Sequence, residues 1–206
     1  EIQDKFLKRV RTFPKTSSME IEIQVQVERT NKLKAFLKKS AKYIGESRQI
    51  DRYFTPAHRN FVKVRPIIEW LRLRDSSGKY SINYKKWHVE KDGRTHFCDE
   101  YESPVVDIEQ LLKIFSALNM VAVTSVNKVR RIWRYKDYEI SLDSIKGLGD
   151  FVEIEYKGKE TDKKPAEITN EMIEFLKVFK VGKISRNYVG YPFQLLFPKE
   201  VKYEWF

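Results

Sequence analysis

Residues Met19 to Glu28 read MEIEIQVQVE, an unbroken alternation. Ile21, Ile23, Val25 and Val27 fall on one side; Glu20, Glu22, Gln24, Gln26 and Glu28 fall on the other. A period of two belongs to a β-strand whose faces meet different surroundings, because successive side chains point to opposite sides of the pleat. The pattern returns in EWLRLRD, Glu69 to Asp75, where Trp70, Arg72 and Arg74 oppose Leu71 and Leu73.

Between and beyond these stretches the periodicity switches repeatedly. Leu33, Phe36, Leu37 and Ala41 recur at helical spacing, predicting a helix from Thr30 to Ile44 stopped by Gly45. Further helices are expected over Ile108–Leu118, with Asp107 as N-cap, and over Ile168–Val178. Strands are expected at 48–54, 67–75, 79–89, 95–106, 122–135, 138–144 and 151–157. Short turns join them at Ser76-Ser77-Gly78, Lys91-Asp92-Gly93, Lys136-Asp137 and Gly147-Leu148-Gly149. The tail after the last helix is aromatic and irregular. Strands following one another through short turns form a largely antiparallel sheet, and about eight suffice to close a barrel and leave no edge. The expectation is an α+β fold: a closed barrel with helices on its outside, the third helix and tail covering one mouth.

The polar strand faces carry the chemical signal. Arg72 and Arg74 align on one strand, Asn83 and Lys85 on the next, Glu100 and Glu102 on the third, and Lys128, Arg130 and Arg134 on the fourth. Glu139, Ser141 and Asp143 follow, then Glu153, Glu155 and Lys157. Any one such strand reads as the wet face of an ordinary sheet. Recurrence through successive strands points instead to a charged lumen, which cannot be dry core because isolated buried charges are too costly. Clustered carboxylates call for a cation between them, and hard oxygen donors suit Mg²⁺ or Mn²⁺. Facing arginines and lysines suit phosphate oxygens.

Composition sets the frame. The chain has 206 residues and a net charge of +11, from 40 Lys+Arg against 29 Asp+Glu. That excess implies a polyanionic partner: nucleic acid, a membrane surface or a phosphorylated metabolite. The single cysteine, Cys98, excludes an intrachain disulfide and a multi-cysteine metal site and fits a cytoplasmic protein. No apolar run approaches the ~18 residues of a membrane span. Residues 1–18 are expected to be a processed or added extension ahead of a single domain over 19–206. His58, His88 and His96 fall on separate segments without metal-ligand spacing. Lys32, Lys34, Lys38, Lys39 and Lys42 form either a solvated helix face or a polyanion-docking surface. The aromatic and basic residues of Arg131–Tyr135 suggest either base stacking or packing on the outer face.

These elements, in this order, resemble the CYTH family, the adenylate cyclase–thiamine triphosphatase group, over about residues 19–196. The opening Glu-x-Glu-x-Lys strand of that family is similar to Glu20-Ile-Glu22-Ile, with Gln24 in place of the lysine. Its basic strands resemble Arg72-Leu-Arg74, Asn83-Tyr-Lys85 and Lys128-Val-Arg130. Its acidic elements resemble Glu100-Tyr-Glu102 and the stretch from Leu142 through Asp143 and the Gly147-x-Gly149 turn to Glu153-Ile-Glu155. Arg186-Asn-Tyr188 resembles its closing element.

The resemblance implies a closed eight-stranded antiparallel tunnel with a triphosphate along its axis. It implies metal ligands among Glu20, Glu22, Glu100, Glu102, Asp143, Glu153 and Glu155, and phosphate contacts from Arg72, Arg74, Lys85, Lys128, Arg130 and Arg186. Gln24, Arg72, Lys85 and Glu155 are the catalytic candidates. The substrate class is ATP, thiamine triphosphate or tripolyphosphate, with hydrolysis or cyclisation to cyclic AMP as the reaction. In hydrolytic members the lysine at position 24 helps orient or activate water. Glutamine keeps a donor but loses charge and acid–base capacity. Hydrolase, cyclase and catalytically weak binder all stay open on this reading.

Overall fold

The computed structural model describes residues 21–89, 95–158 and 164–206. The extension over 1–18, Glu20, and the expected turn at 91–93 lie outside the described residues, as do the side chains of His96 and Cys98. In chain order the elements are β1 (Glu22–Val27), α1 (Asn31–Ser40), β2 (Lys42–Pro56), β3 (Glu69–Ser76), β4 (Lys79–Val89), β5 (Thr95–Val105) and α2 (Ile108–Ala117). They continue with β6 (Met120–Tyr135), β7 (Tyr138–Ile145), β8 (Gly149–Tyr156), α3 (Pro165–Val178), β9 (Ile184–Arg186), α4 (Tyr191–Leu196) and β10 (Glu204–Trp205).

The strands form one ten-stranded sheet in the order β10-β9-β1-β8-β7-β6-β2-β3-β4-β5. Every pairing among the described residues is antiparallel. The fold is therefore α+β and antiparallel, as expected, but the ladder is open. It ends at β5 and β10, and no pairing among the described residues joins them. The expected closed eight-stranded barrel is not what these strands make: β9 and β10 from the tail extend the sheet beyond β1 instead of sealing it.

Two local expectations fail for one reason. The helix expected to reach Ile44 stops at Ser40, and β2 begins at Lys42. The long strand β6 supplies the difference, pairing Lys42 with Arg134 and Tyr43 with Trp133. Ladder hydrogen bonds to a distant partner outweigh the weak local helical pattern of the stretch. Gly45, expected as a helix stop, sits where the register of β2 slips against β6, the signature of a bulge. The Ser77-Gly78 turn is as expected: φ of 53° and 84° give the paired left-handed residues of a tight hairpin.

One sheet face packs on helices. Ile23, Val25 and Val27 of β1, Trp133 of β6, Ile140 and Leu142 of β7, and Val152 and Ile154 of β8 join Leu33 and Leu37 of α1 and Ile168, Met172, Ile173 and Leu176 of α3. A second cluster seats Phe115 of α2 on Phe54 and Leu73 of β2 and β3. The third helix thus packs on the helix side of the sheet and covers no mouth; among the helices of the described residues only α4 of the tail, through Tyr191, reaches the opposite face, where Phe151 and Ile145 meet it. No helix among the described residues is long and apolar enough to cross a membrane.

Leu37 is fully buried between α1 and the sheet, whereas Lys39 is exposed two residues on. Leu37→Ala should lower the unfolding free energy by about 2–5 kcal/mol. Lys39→Ala should stay within about 0.5 kcal/mol of the parent. Urea denaturation of both variants measures the contrast.

Candidate active site

The face opposite α1 and α3 collects the polar alternation. Across β1, β8, β7 and β6, the register aligns Glu22, Glu155, Glu139 and Arg134 in one row. The next row on this face aligns Gln24, Glu153, Ser141 and Ile132, and the one after it aligns Gln26, Phe151, Asp143 and Arg130, continuing to Ser47 of β2. Farther along the sheet, Asp51 pairs with Arg74, Tyr53 with Arg72, and Arg72 with Asn83, which pairs in turn with Glu102. Gln49, Asp51, Asn83, Lys128, Ser141 and Asp143 on this face are at most 7% exposed. The helices α1, α2 and α3 lie on the other side, so the shielding comes from the curl of the twisted sheet around these groups and from α4.

Arg130 is the centre of the site. Its Nε and Nη2 donate to the two oxygens of Asp143 at 2.7 and 2.6 Å. Its Nη1 and Nη2 donate to both oxygens of Glu153 at 3.0 and 2.8 Å. Two bidentate carboxylates on one planar fork use the geometry that distinguishes arginine from lysine. The Tyr191 hydroxyl donates to Asp143 Oδ2 at 3.0 Å, and Lys128 Nζ stands 3.8 Å from the same oxygen. Gln24 Nε2 donates weakly to Glu153 Oε2, at 3.4 Å.

The electrostatics follow from burial and pairing. Burial acts to raise the Asp143 carboxyl, but Arg130, Lys128 and Tyr191 together hold it below its ordinary value. Burial also works against the charge on Arg130, and its two carboxylates more than compensate, raising its pKa. Burial, then the Arg130 charge, lower Lys128 to about 8. Burial and the Asp143 charge push Tyr191 well above the usual phenol.

The second half of the face repeats the motif. Arg74 donates to both oxygens of Asp51 at 2.6 and 2.7 Å, and Arg72 Nη1 lies 3.8 Å from Asp51. Burial acts to raise Asp51, and Arg74 with its neighbours overrides it to lower the pKa. Lys85 pairs with Glu100 at 3.0 Å, Asn83 donates to Glu100 at 2.7 Å, and Ser81 donates to Glu102 at 2.9 Å. Arg72 Nε and Gln49 Oε1 are buried without a hydrogen-bond partner among the described residues.

The structure therefore brings Arg72, Arg74, Lys85, Lys128, Arg130, Asp143, Glu153, Glu155, Glu22 and Gln24 to one face. Glu100 and Glu102 share it but lie on the edge strand β5, seven strands along the ladder from β8 by the order β8-β7-β6-β2-β3-β4-β5 counted inclusively. Arg186 does not join them: it registers with Val25, on the helix-side face, and stands over the Tyr188 ring at 4.8 Å. Among the described residues no three His, Cys, Asp or Glu side chains converge as a metal-holding group. The carboxylates turn instead to neighbouring cations, Glu155 to Lys157 and Glu139 to Arg134 among them. Asp51 and Tyr191 are participants that the sequence reading missed. The alternation Gln49, Asp51, Tyr53 carried a signal for the first; the irregular tail carried none for the second.

Asp51→Asn should cost about 3–5 kcal/mol at neutral pH, because it leaves Arg74 buried and uncompensated. The folded-state pKa of Asp51 lies below its ordinary value of 3.8, so its contribution is complete above that value and fades as pH falls through the folded pKa. The gap between parent and variant should therefore narrow in strong acid; denaturant titrations at stepped pH measure it.

The CYTH domain model matches residues 18–188. A Methanocaldococcus jannaschii protein, provisionally named an adenylate cyclase, is 34% identical over 166 residues, which are 80% of this chain and 91% of that protein. A Pyrococcus horikoshii protein of solved structure superposes with a TM-score of 0.59 at 25% identity, covering 80% of this chain and 92% of its own. A Hippeastrum protein, provisionally an adenylyl cyclase and described as having a dominant triphosphatase activity, shares the fold at a TM-score of 0.64 and 19% identity, covering 89% of this chain and all of its own, 100%. Matched over most of its length by the domain model and by the archaeal relative, the chain belongs to the CYTH domain family.

Proposed function

We propose that the charged face binds a small-molecule triphosphate together with Mg²⁺ or Mn²⁺ and hydrolyses it. The observation that carries this reading is the buried Arg72 Nε, a donor without an acceptor, on a shielded face shared with Arg74, Lys128 and Arg130. A buried unsatisfied donor costs about 1–3 kcal/mol, and a ligand rich in acceptor oxygens relieves it. Arg72, Arg74, Lys85, Lys128 and Arg130 are the phosphate contacts in this reading, exchanging their carboxylates for phosphate oxygens.

Glu22 and Glu155 are register neighbours across β1 and β8, with Glu139 next in the row and Glu153 two residues from Glu155. Hard oxygen donors on adjacent strands suit a divalent cation, and we assign Glu22, Glu153 and Glu155 to it, which requires Glu153 and Glu155 to leave Arg130 and Lys157 and converge. Such a cation would offset phosphate charge as the reaction proceeds. Asp143 is better suited to holding Arg130 than to a metal, since Arg130 and Tyr191 occupy its oxygens. Gln24 can orient water but cannot take its proton, so we assign that proton to a carboxylate of the row, Glu155 first. The Hippeastrum protein with dominant triphosphatase activity supports hydrolysis.

The archaeal relative named for adenylate cyclase activity supports a second reading, attack by the ribose 3′-hydroxyl of ATP with release of pyrophosphate. Incubation with Mg²⁺ or Mn²⁺ and ATP, thiamine triphosphate or tripolyphosphate separates them. Release of inorganic phosphate is expected; cyclic AMP with pyrophosphate would establish the cyclase instead, and no product with any substrate would reject both. Arg130→Ala should lower kcat by about 10²–10³ if its fork meets the developing charge. Gln24→Lys should raise phosphate release, because the added cation orients water and stabilises charge; an unchanged rate would remove position 24 from the chemistry, and a lower rate would contradict the benefit of a cation there.

A further inference from the structure

The cations of the candidate site are largely neutralised from within. Arg130 faces Asp143 and Glu153, Arg74 faces Asp51, and Lys85 faces Glu100. The chain's +11 charge must therefore be carried mainly elsewhere. A coherent part of it lies on the opposite side of the sheet. There α1 and α3 cover β1, β8, β7 and the end of β6, while α2 covers β3 and the far end of β2. Between these two layers the middle of the β2–β6 pair has no apolar cover from a helix among the described residues.

This seam opens on a concavity of about 330 Å³ lined by Lys34 and Lys38 of α1, Tyr43 and Glu46 of β2, and Arg131 and Trp133 of β6. Lys34 and Lys38 lie one helical turn apart and so project on the same side. Glu46 pairs with Arg131, leaving the lysines as the excess charge. Tyr43 is 52% exposed, and its ring rests 5.2 Å from the buried Trp133, which backs it from below. Beyond the concavity Arg48 and Arg52 continue along the same face of β2, opposite Val129 and Ser125, and both are exposed. From Tyr43 to Arg52 the strand runs about 30 Å.

We propose that this seam binds single-stranded nucleic acid. A line of cations along a strand suits a polymer of phosphates, and an exposed ring held by a buried one is a preformed platform for an unstacked base. A lipid surface is flat and cannot follow a concavity. A duplex keeps its bases inside, away from Tyr43. A bare polyphosphate would leave the ring unused. The proposal is independent of the reaction assigned to the opposite face, and both can hold.

The test is fluorescence anisotropy of a labelled oligothymidylate of about 12 nucleotides, within the usual site size of single-strand binders. Binding should weaken with salt with a logarithmic slope of roughly −2.8 for the four cations Lys34, Lys38, Arg48 and Arg52. Lys34→Glu with Lys38→Glu should lower affinity at least about tenfold and flatten the slope by roughly 1.4. Arg48→Ser, on β2 beyond the concavity and outside the helix itself, should weaken binding in the same direction and keeps the test valid if the helix variant melts early. Tyr43→Ala should cost the oligonucleotide about tenfold and leave polyphosphate of equal charge unaffected. No binding at low salt would overturn the proposal, as would affinity unchanged in both cation variants. Equal affinity for duplex, or an equal loss for polyphosphate on Tyr43→Ala, would overturn it in favour of a plain polyanion surface.

Discussion

The Arg130 guanidinium, held by two carboxylates from two different strands, is the interaction on which the charged face depends. Asp143 of β7 and Glu153 of β8 each bind it through both oxygens, and Tyr191 of α4 ties Asp143 to the tail. Fork and carboxylates together satisfy nearly the whole donor set of one arginine, which is what allows charge to be buried here at all. Such a network is weak evidence for stability, since well-packed apolar groups of the same volume often do as well. It makes chemical sense as a site whose charges are balanced in advance. In the proposed reaction a phosphate would displace Glu153 from Arg130 and Glu153 would turn to the metal, while Asp143 stays on the fork, so neither charge is left alone in a shielded place.

The two sheet faces divide the molecule. The helix side holds the main core, with Ile23, Leu37, Ile154 and Leu176 all close to fully buried. The other side holds buried Asp51, Asn83, Lys128 and Asp143, groups that a core would exclude unless paired. The period of two in each strand is what feeds both at once: every residue given to the core places its neighbours in the site. It also explains why the surplus positive charge lies outside. Pairing within the curved face consumes its cations locally, while α1 and the exposed part of β2 carry lysines and arginines with fewer carboxylates opposite them.

Much of this was legible from the sequence because period two is a direct image of the pleat. The alternation in 19–28, repeated in 69–75 and through the later strands, identified the strands, their helix-facing side and most of the charged groups now seen together. Three failures have definite causes. The end of α1 was invisible because Ala41 and Ile44 continue a helical spacing; only pairing of Lys42 and Tyr43 with β6, roughly ninety residues away in the chain, selects the strand. Arg186 was assigned to the site from a motif, yet in a strand a shift of one residue reverses the face, and its pairing with Val25 decides against it. Closure was inferred from short turns, which establish antiparallel neighbours but say nothing of whether the two end strands meet. Tyr191 illustrates the remaining limit: its hydroxyl reaches Asp143 from an irregular segment with no periodicity to read.

The most direct measurement is a crystal structure determined with tripolyphosphate and Mn²⁺, the metal located by its anomalous scattering. The account requires phosphate oxygens within hydrogen-bond distance of Arg72 Nε and of the Arg130 fork, with at least one Arg130–carboxylate pair opened and the metal beside Glu22, Glu153 or Glu155. Tripolyphosphate found only on the outer side near Lys34 and Lys38, with Arg130 still holding both Asp143 and Glu153, would contradict it.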